Sequence, residues 1–261
     1  MNEKEFKITN PQLNKLSING EIIKSEMQVR SARYKELMAY YRCAIMEVET
    51  KFKVLNEELS LEYDRNPIET IKCRLKSLDS IADKLKRNGL DLTVDNIENT
   101  LSDVAGVRVI CGNPSDIYKI ASAFLRQDDI TLIKEKDYMK NPKPNGYRSL
   151  HLIVEIPIFL HDKKKVMRVE VQFRTISMDW WASLEHKIRY KKGLEIPEAI
   201  SRELYECAEQ AAFLDARMEQ IQTVIETENN EDIEEEKIQD KLSFDEAIKK
   251  AENKQKESYE N

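Results

Sequence analysis

The clearest hydrophobic pattern in the sequence has a period of two and lies between residues 167 and 174. Apolar residues alternate there with polar ones, in the order Met167, Arg168, Val169, Glu170, Val171, Gln172, Phe173 and Arg174. This alternation predicts a strand with one face in the core. The other face would carry Glu170, Gln172 and Arg174 in succession, which is typical either of a polar site or of an ordinary solvated face.

The remaining elements follow from the same two periods. A strand is predicted from Leu150 to Ile156, with His151 on its polar face, and two more over residues 107–111 and 130–137. On the last of these, Lys134 and Lys136 share one face. Spacings of three and four predict helices over residues 21–62, 67–88, 94–101, 113–127, 176–193, 197–225 and, weakly, 244–256.

These elements indicate an α+β protein with a long helix at each end of the domain. Residues 1–20 are predicted to be a flexible N-terminus, residues 21–225 a domain, and residues 226–261 an acidic, disordered tail containing the weak last helix. The two long helices would form a helical layer or an oligomer interface.

Composition narrows the class of protein. The 261 residues are 41% hydrophobic and 34% charged, which permits a sizeable core. The four cysteines have no CxxC spacing, so neither zinc nor a disulfide framework is indicated, and a reducing cytoplasm is expected. No stretch approaches the roughly 20 apolar residues of a membrane span, and residues 1–10 lack the apolar core expected of a signal peptide. A net charge of −6 argues against bulk capture of nucleic acid but allows a local basic pocket.

Three groups of residues carry candidate chemistry. On the helix predicted for residues 67–88, Arg74, Ser77 and Lys84 would lie on one face, as a triphosphate grip or as solvated side chains. Asp103, just ahead of a strand, would share one Mg²⁺ with Glu170, or would cap a turn. The loop over residues 141–147 would present Lys143, Asn145 and Tyr147 to a ligand, or would be a plain hairpin connection.

Five motifs carry a resemblance to a known family: PIETIKCRLKS (67–77), DVAGVRVIC (103–111), KDYMKNPKPNGYRSLH (136–151), EVQFRT (170–175) and WASLEHKIRYK (181–191). In this order they resemble the small alarmone synthetases of the RelP type, the single-domain relatives of the RelA/SpoT stringent-response enzymes. The resemblance implies a nucleotidyltransferase-like mixed β-sheet flanked by helices. It also implies transfer of the β,γ-pyrophosphate of ATP to the ribose 3′-hydroxyl of GDP or GTP, with Mg²⁺ as cofactor.

The resemblance also implies roles for single residues. Arg74 and Arg108 would sandwich adenine, and Lys76, Ser77 and Lys84 would hold the ATP phosphates. Asp103 and Glu170 would bind Mg²⁺, with Glu170 as the base for the 3′-hydroxyl. Tyr147 would stack on guanine. The other acceptor contacts would be Lys134, Lys136, Lys143, Asn145, His151 and Gln172.

Assembly and alternatives complete the expectations. The resemblance implies a cytoplasmic homotetramer. No hydrolase activity is expected, because the only histidines are His151, His161 and His186, and 261 residues are expected to leave no room for a ribosome-sensing domain. One alternative is a nucleotide sensor or single-stranded RNA binder that uses Tyr147 and the nearby lysines. Another is a helical interaction protein, which would leave the polar strand faces unexplained.

Overall fold

The structure is a computed structural model that describes residues 11–63, 65–190, 197–227, 243–244, 246 and 248–249. In chain order the helices and strands are α1 (Pro11–Tyr63), β1 (Ile68–Leu75), α2 (Leu78–Arg87), α3 (Val94–Thr100), β2 (Ala105–Cys111), α4 (Pro114–Leu125), β3 (Thr131–Asp137), β4 (Leu150–Phe159), β5 (Lys164–Thr175), α5 (Ile176–Tyr190) and α6 (Glu198–Thr227). No helix in this part of the chain is both long and apolar enough to cross a membrane. Helix α1 begins at Pro11, so residues 11–20 of the predicted flexible N-terminus are helical and residues 1–10 lie outside the described residues.

The prediction of one helix over residues 67–88 is wrong, because its first half is the strand β1. Ile68, Thr70 and Ile71 are β-branched, which favours a strand, and β1 pairs antiparallel with β2. The helix α2 starts only after Ser77, whose hydroxyl accepts a hydrogen bond from the backbone N–H of Ser80. The apolar spacing fitted a helix equally well, and only the pairing with β2 decides between the two structures.

Within the described residues, five strands form one mixed sheet in the order β1-β2-β5-β4-β3. Strands β2 and β5 are parallel and the other neighbours antiparallel. The strand with the clearest alternation, β5, is therefore hydrogen-bonded on both sides. This arrangement confirms the predicted mixed sheet with flanking helices.

The apolar face of the sheet packs against α1 and α4. Val169, Val171 and Phe173 of β5 are fully buried there. Phe52 of α1 makes an edge contact with Phe173 at 5.6 Å between ring centroids and stacks on Phe124 of α4 at 4.6 Å. Burial of these residues fixes which face of β5 is core, and the alternating polar residues must therefore point to the other side.

The last two helices pack together beside the polar face. Trp181 and Ala182 of α5 are buried with Ala208 of α6, and the indole N–H of Trp181 donates to the backbone oxygen of Leu204 at 2.8 Å. The long N-terminal helix lies on the sheet and α6 lies on α5.

A C-terminal segment docks on α4. Phe244 is fully buried and makes an edge contact with Tyr118 at 5.2 Å between centroids. The Ser243 hydroxyl accepts a hydrogen bond from Arg126 at 2.8 Å. Residues 228–242 and 250–261 of the predicted acidic tail lie outside the described residues, as do residue 64 and residues 191–193 of the helix predicted over 176–193.

Candidate active site

A cavity of about 320 Å³ opens on the polar face of the sheet, over β1, β2 and β5. Among its lining residues are Arg74, Arg108, Glu170 and Gln172. Two adjacent rows across the strands explain why they meet. In the pairing register one row runs Lys72, Arg108, Gln172, His151 and Lys136, and the next runs Arg74, Gly106, Glu170, Ile153 and Lys134.

These rows unite residues that are far apart in sequence, because paired residues of neighbouring strands point to the same face. Gly106, between Arg74 and Glu170, has no side chain and leaves the floor of the cavity open. The rows extend to β3, where Lys134 and Lys136 are exposed. The sheet thus places a carboxylate, an amide and several cations on one surface.

Asp103 lies just ahead of β2 and is held by two lysines. Lys76 and Lys84 each place Nζ 2.8 Å from Oδ2 of Asp103. Burial alone would raise the pKa of Asp103, but the hydrogen bonds and charges of the two lysines outweigh burial and lower it below its usual value. Asp103 is therefore ionised at neutral pH.

The second oxygen of Asp103, Oδ1, is buried and has no hydrogen-bond partner among the described residues. A buried carboxylate oxygen normally has a partner, so this atom suits a cation ligand. No group of three or more His, Cys, Asp or Glu side chains in the described part of the chain can hold a metal ion alone. Mg²⁺ usually needs only one or two carboxylates together with substrate phosphates, and Asp103 with Glu170 fits that requirement.

Glu170 lies at the centre of the sheet and is held by two neighbours. Gln172 donates from Nε2 to its Oε2 at 2.8 Å, and Nδ1 of His151 lies 3.4 Å from its Oε1. Burial raises the pKa of Glu170 and so does the charge of Asp103, but His151 and Gln172 together lower it below its usual value. Burial lowers the pKa of His151, which is therefore neutral at pH 7. An ionised Glu170 can accept a proton at neutral pH.

The loop between β3 and β4 brings an aromatic ring to the same region. Tyr147 Oη lies 2.8 Å from Nε2 of His151, and the ammonium of Lys143 lies 4.8 Å from the centroid of the Tyr147 ring. Asn145 donates to Glu185 of α5 at 3.1 Å. The loop is shaped by Gly146, whose φ of +85° is one that residues with a side chain rarely adopt.

The structure therefore brings together most of the predicted site residues, but not as one helical face. Arg74 is on β1 and Lys84 on α2, so the prediction that Arg74, Ser77 and Lys84 share a helix face is wrong. The hydroxyl of Ser77 caps α2 and also bonds to Ser80 at 2.9 Å. A phosphate would have to compete with this cap.

Sequence reasoning assigned no role to Lys72, Arg174 or Asp179, although all three meet at the edge of the site. Asp179 accepts hydrogen bonds from Lys72 at 2.7 Å, Arg108 at 2.9 Å and Arg174 at 3.1 Å. The alternation of β5 had already placed Arg174 on the polar face of the strand. Lys72 was missed because its segment was predicted as a helix, and nothing in the local sequence marks Asp179.

Comparisons with known proteins point in one direction. Residues 73–195 match the model of the region found in RelA / SpoT proteins. The chain is 44% identical over 185 residues to the GTP pyrophosphokinase YwaC of Bacillus subtilis (strain 168), spanning 71% of this chain and 88% of that one.

Solved structures agree. The fold is similar to small alarmone synthetase 2 from Bacillus subtilis, at 43% identity and a TM-score of 0.67, covering 73% of this chain and 98% of that one. It is also similar to small alarmone synthetase 1 from Bacillus subtilis bound to its product pppGpp, at 33% identity and a TM-score of 0.68, covering 74% and 97%.

Proposed function

The chain belongs to the small alarmone synthetases of the RelA/SpoT family, and on that premise we propose that it transfers the β,γ-pyrophosphate of ATP to the ribose 3′-hydroxyl of GDP or GTP. The products are ppGpp or pppGpp and AMP. The observation that carries the proposal is the pair of ionised carboxylates. Asp103 has an oxygen with no hydrogen-bond partner among the described residues, and Glu170 lines the cavity with two arginines and contacts His151, which in turn contacts Tyr147. A protein that only binds nucleotides has no need for two carboxylates beside phosphates.

On the donor side, Arg74 and Arg108 flank adenine, because planar guanidinium groups stack well on aromatic faces. Lys76 and Lys84 hold the phosphates. In the structure both ammonium groups bind Asp103, so a triphosphate would take over cations that already lie at the site. Mg²⁺ bound by Asp103 and Glu170 would neutralise phosphate charge.

On the acceptor side, the ring of Tyr147 stacks on guanine, with Lys143 and Asn145 nearby. Lys134, Lys136, His151 and Gln172 extend this side along the two rows of the sheet. Glu170 accepts the proton of the 3′-hydroxyl, whose oxygen attacks the β-phosphorus. The bond from that phosphorus to the oxygen bridging the α- and β-phosphates breaks, and AMP leaves. Catalysis then consists of positioning, charge neutralisation and one proton transfer.

We further propose that the enzyme acts in the cytoplasm as a homotetramer. A run of large apolar side chains on α6 is exposed in the single chain: Phe213, Leu214, Met218, Val224 and Ile225. An exposed patch of this kind marks an interaction surface. Light scattering on the purified protein measures the number of subunits.

The reaction is tested by incubating the protein with Mg²⁺, ATP labelled on its γ-phosphate, and GDP or GTP. Label on the guanine nucleotide together with an equal amount of AMP supports the proposal and ranks the acceptors. If both nucleotides bind but no label moves, the protein is a nucleotide sensor.

Substitution of the base provides the sharper test. Glu170→Gln is expected to abolish turnover while a non-hydrolysable ATP analogue still binds, because the amide keeps the shape but cannot accept the proton. Glu155→Gln is the matched control, since Glu155 lies on the neighbouring strand and pairs with Arg168 at 3.0 Å. Near wild-type turnover in Glu170→Gln would remove this residue from the mechanism.

A further inference from the structure

A cluster of charges with a buried centre lies where β5 meets α5, beside the cavity; Lys72 at its edge is exposed. Asp179 and Arg174 are only 6% and 5% exposed. Burial raises the pKa of Asp179, but hydrogen bonding by Lys72 and the charges of Arg108 and Arg174 lower it below its usual value, so the carboxylate is ionised. Neither Asp179 nor Arg174 lines the cavity, whereas Lys72 and Arg108 do.

The cluster holds three cations around one carboxylate. Isolated charges are costly to bury, and a simple structural ion pair needs only one cation for one carboxylate. Nε of Arg108 and Nε of Arg174 are also buried without a hydrogen-bond partner among the described residues. The excess positive charge is shared with the cavity wall, which suits a site that receives an anionic ligand.

Arg174 extends the cluster to the acceptor side. Its Nη2 lies 2.8 Å from Oη of Tyr147. A guanidinium has only donors, so the phenol oxygen accepts this bond and its own O–H is directed to Nε2 of His151 at 2.8 Å. His151 then carries its proton on Nδ1, which faces Glu170. Hydrogen bonds thus run in one direction from Arg174 to Glu170.

We propose that Asp179 and Arg174 are a positioning pair that serves both nucleotide subsites. Asp179 holds the guanidinium of Arg108 on the ATP side, and Arg174 holds the phenol of Tyr147 on the acceptor side. Their mutual bond at 3.1 Å joins the two. This inference rests on the proposed function, because it assigns Arg108 and Tyr147 to the two nucleotides.

The test measures binding of GDP and of a non-hydrolysable ATP analogue by calorimetry, and KM and kcat for both substrates. Asp179→Asn should weaken the binding of both nucleotides by about tenfold or more, as expected for loss of charge-assisted hydrogen bonds. Arg174→Lys keeps the charge but cannot bond to Asp179 and Tyr147 together. It should weaken the binding of GDP about tenfold and the binding of the ATP analogue by a smaller factor.

Asp116→Asn is the matched structural control. Asp116 is 3% exposed and forms a two-pronged ion pair with Arg65, at 2.8 and 2.9 Å, on α4 rather than at the cavity. This variant should lower the melting temperature without changing either dissociation constant. If Asp179→Asn behaves in the same way, the pair is only structural and the proposal is overturned.

A second route remains if Asp179→Asn does not fold. Tyr147→Phe removes the phenol oxygen, which links Arg174 to His151, and keeps the ring. Combining it with Arg174→Lys should weaken the binding of GDP no further than either change alone, because both substitutions break the hydrogen bond between Arg174 and Tyr147. Additive losses would contradict the proposal.

The binding measurements separate this inference from the proposed reaction. If the wild type transfers no pyrophosphate but the variants lose nucleotide binding as described, the positioning pair stands and the proposed reaction fails. If the wild type turns over and the variants bind both nucleotides normally, the reaction stands and the pair fails.

Discussion

Replacing Gly146 by alanine should destabilise the protein, for two separable reasons, and should also weaken binding of the acceptor nucleotide. The φ of +85° is costly for any residue with a side chain, and the new Cβ would lie 2.6 Å from Cβ of Ala208 and 3.3 Å from the ring of Tyr205. A left-handed conformation costs roughly 1–2 kcal/mol, and overpacking a buried site costs typically about 1–3 kcal/mol. Together they predict a loss of about 2–5 kcal/mol in the free energy of unfolding.

A second glycine isolates the backbone cost. Gly89, after α2, has a φ of +70°, and nothing lies within 4 Å of the Cβ that alanine would add. Gly89→Ala should therefore lose only about 1–2 kcal/mol, the conformational part. The difference between the two variants in urea denaturation measures the clash with α6.

Making room on α6 tests the clash directly. In a protein that already carries Ala208→Gly, the Gly146→Ala substitution should lower the free energy of unfolding by less than it does in the wild type. The difference should be about 1–3 kcal/mol. Because Gly146 adjoins Tyr147, the KM for GDP should rise more than the KM for ATP. The reasoning would be refuted if Gly146→Ala lowered the free energy of unfolding equally in the wild type and in the Ala208→Gly variant. Equal changes in the KM values for GDP and ATP would also refute it.

Three further predictions concern other parts of the molecule. Tyr147→Ala should weaken the guanine nucleotide more than ATP, through lost stacking, and equal losses in a binding titration would contradict the assignment. Burial, and to a lesser degree the charge of Glu219, raises the pKa of Asp215, so the folded state favours its neutral form and loses stability as pH rises through that pKa. Asp215→Asn should thus be more stable than wild type at pH 7 in urea denaturation. The gain should fade towards about pH 4, where the aspartate is itself protonated, and a gain independent of pH would exclude this cause. Phe244→Ala should remove about 3–5 kcal/mol from the docking of its segment on Tyr118, by cavity formation. Limited proteolysis should then cut near residue 244 while the domain stays intact, and an unchanged cleavage pattern would show that the docking is unimportant.

Much of the fold could be predicted because one-sided burial leaves a period in the sequence. Strand β5 and helix α1 are of this kind. The prediction failed for β1 because this strand lies at the sheet edge, where most of its residues are exposed. Its apolar spacing suits a helix as well as a strand. Its identity depends on pairing with β2, a long-range interaction that leaves no local signal.

The same distinction applies to the candidate site. Glu170 and Gln172 were visible as polar residues on a half-buried strand, Asp103 as a carboxylate just ahead of a strand, and Tyr147 as part of a proline- and glycine-containing loop. Asp179 was invisible because a single aspartate in the first turn of a helix is ordinary, and only the fold brings three cations to it. The helix face predicted for Arg74 and Lys84 was lost with the helix, although Arg74 on β1 lines the cavity and Lys84 on α2 still reaches Asp103.

The position of β5 also limits how its length can change. Hydrogen bonds to β2 and β4 fix its register on both sides. Inserting or deleting one residue near Val169 would turn Glu170, Gln172 and Arg174 towards α1 and expose the apolar side chains to the cavity. Substitutions in this strand can be tried one at a time, whereas a change in length by one residue would invert the core and the site together. Random insertion libraries should therefore recover functional variants in the turn between β4 and β5 and none within β5 itself.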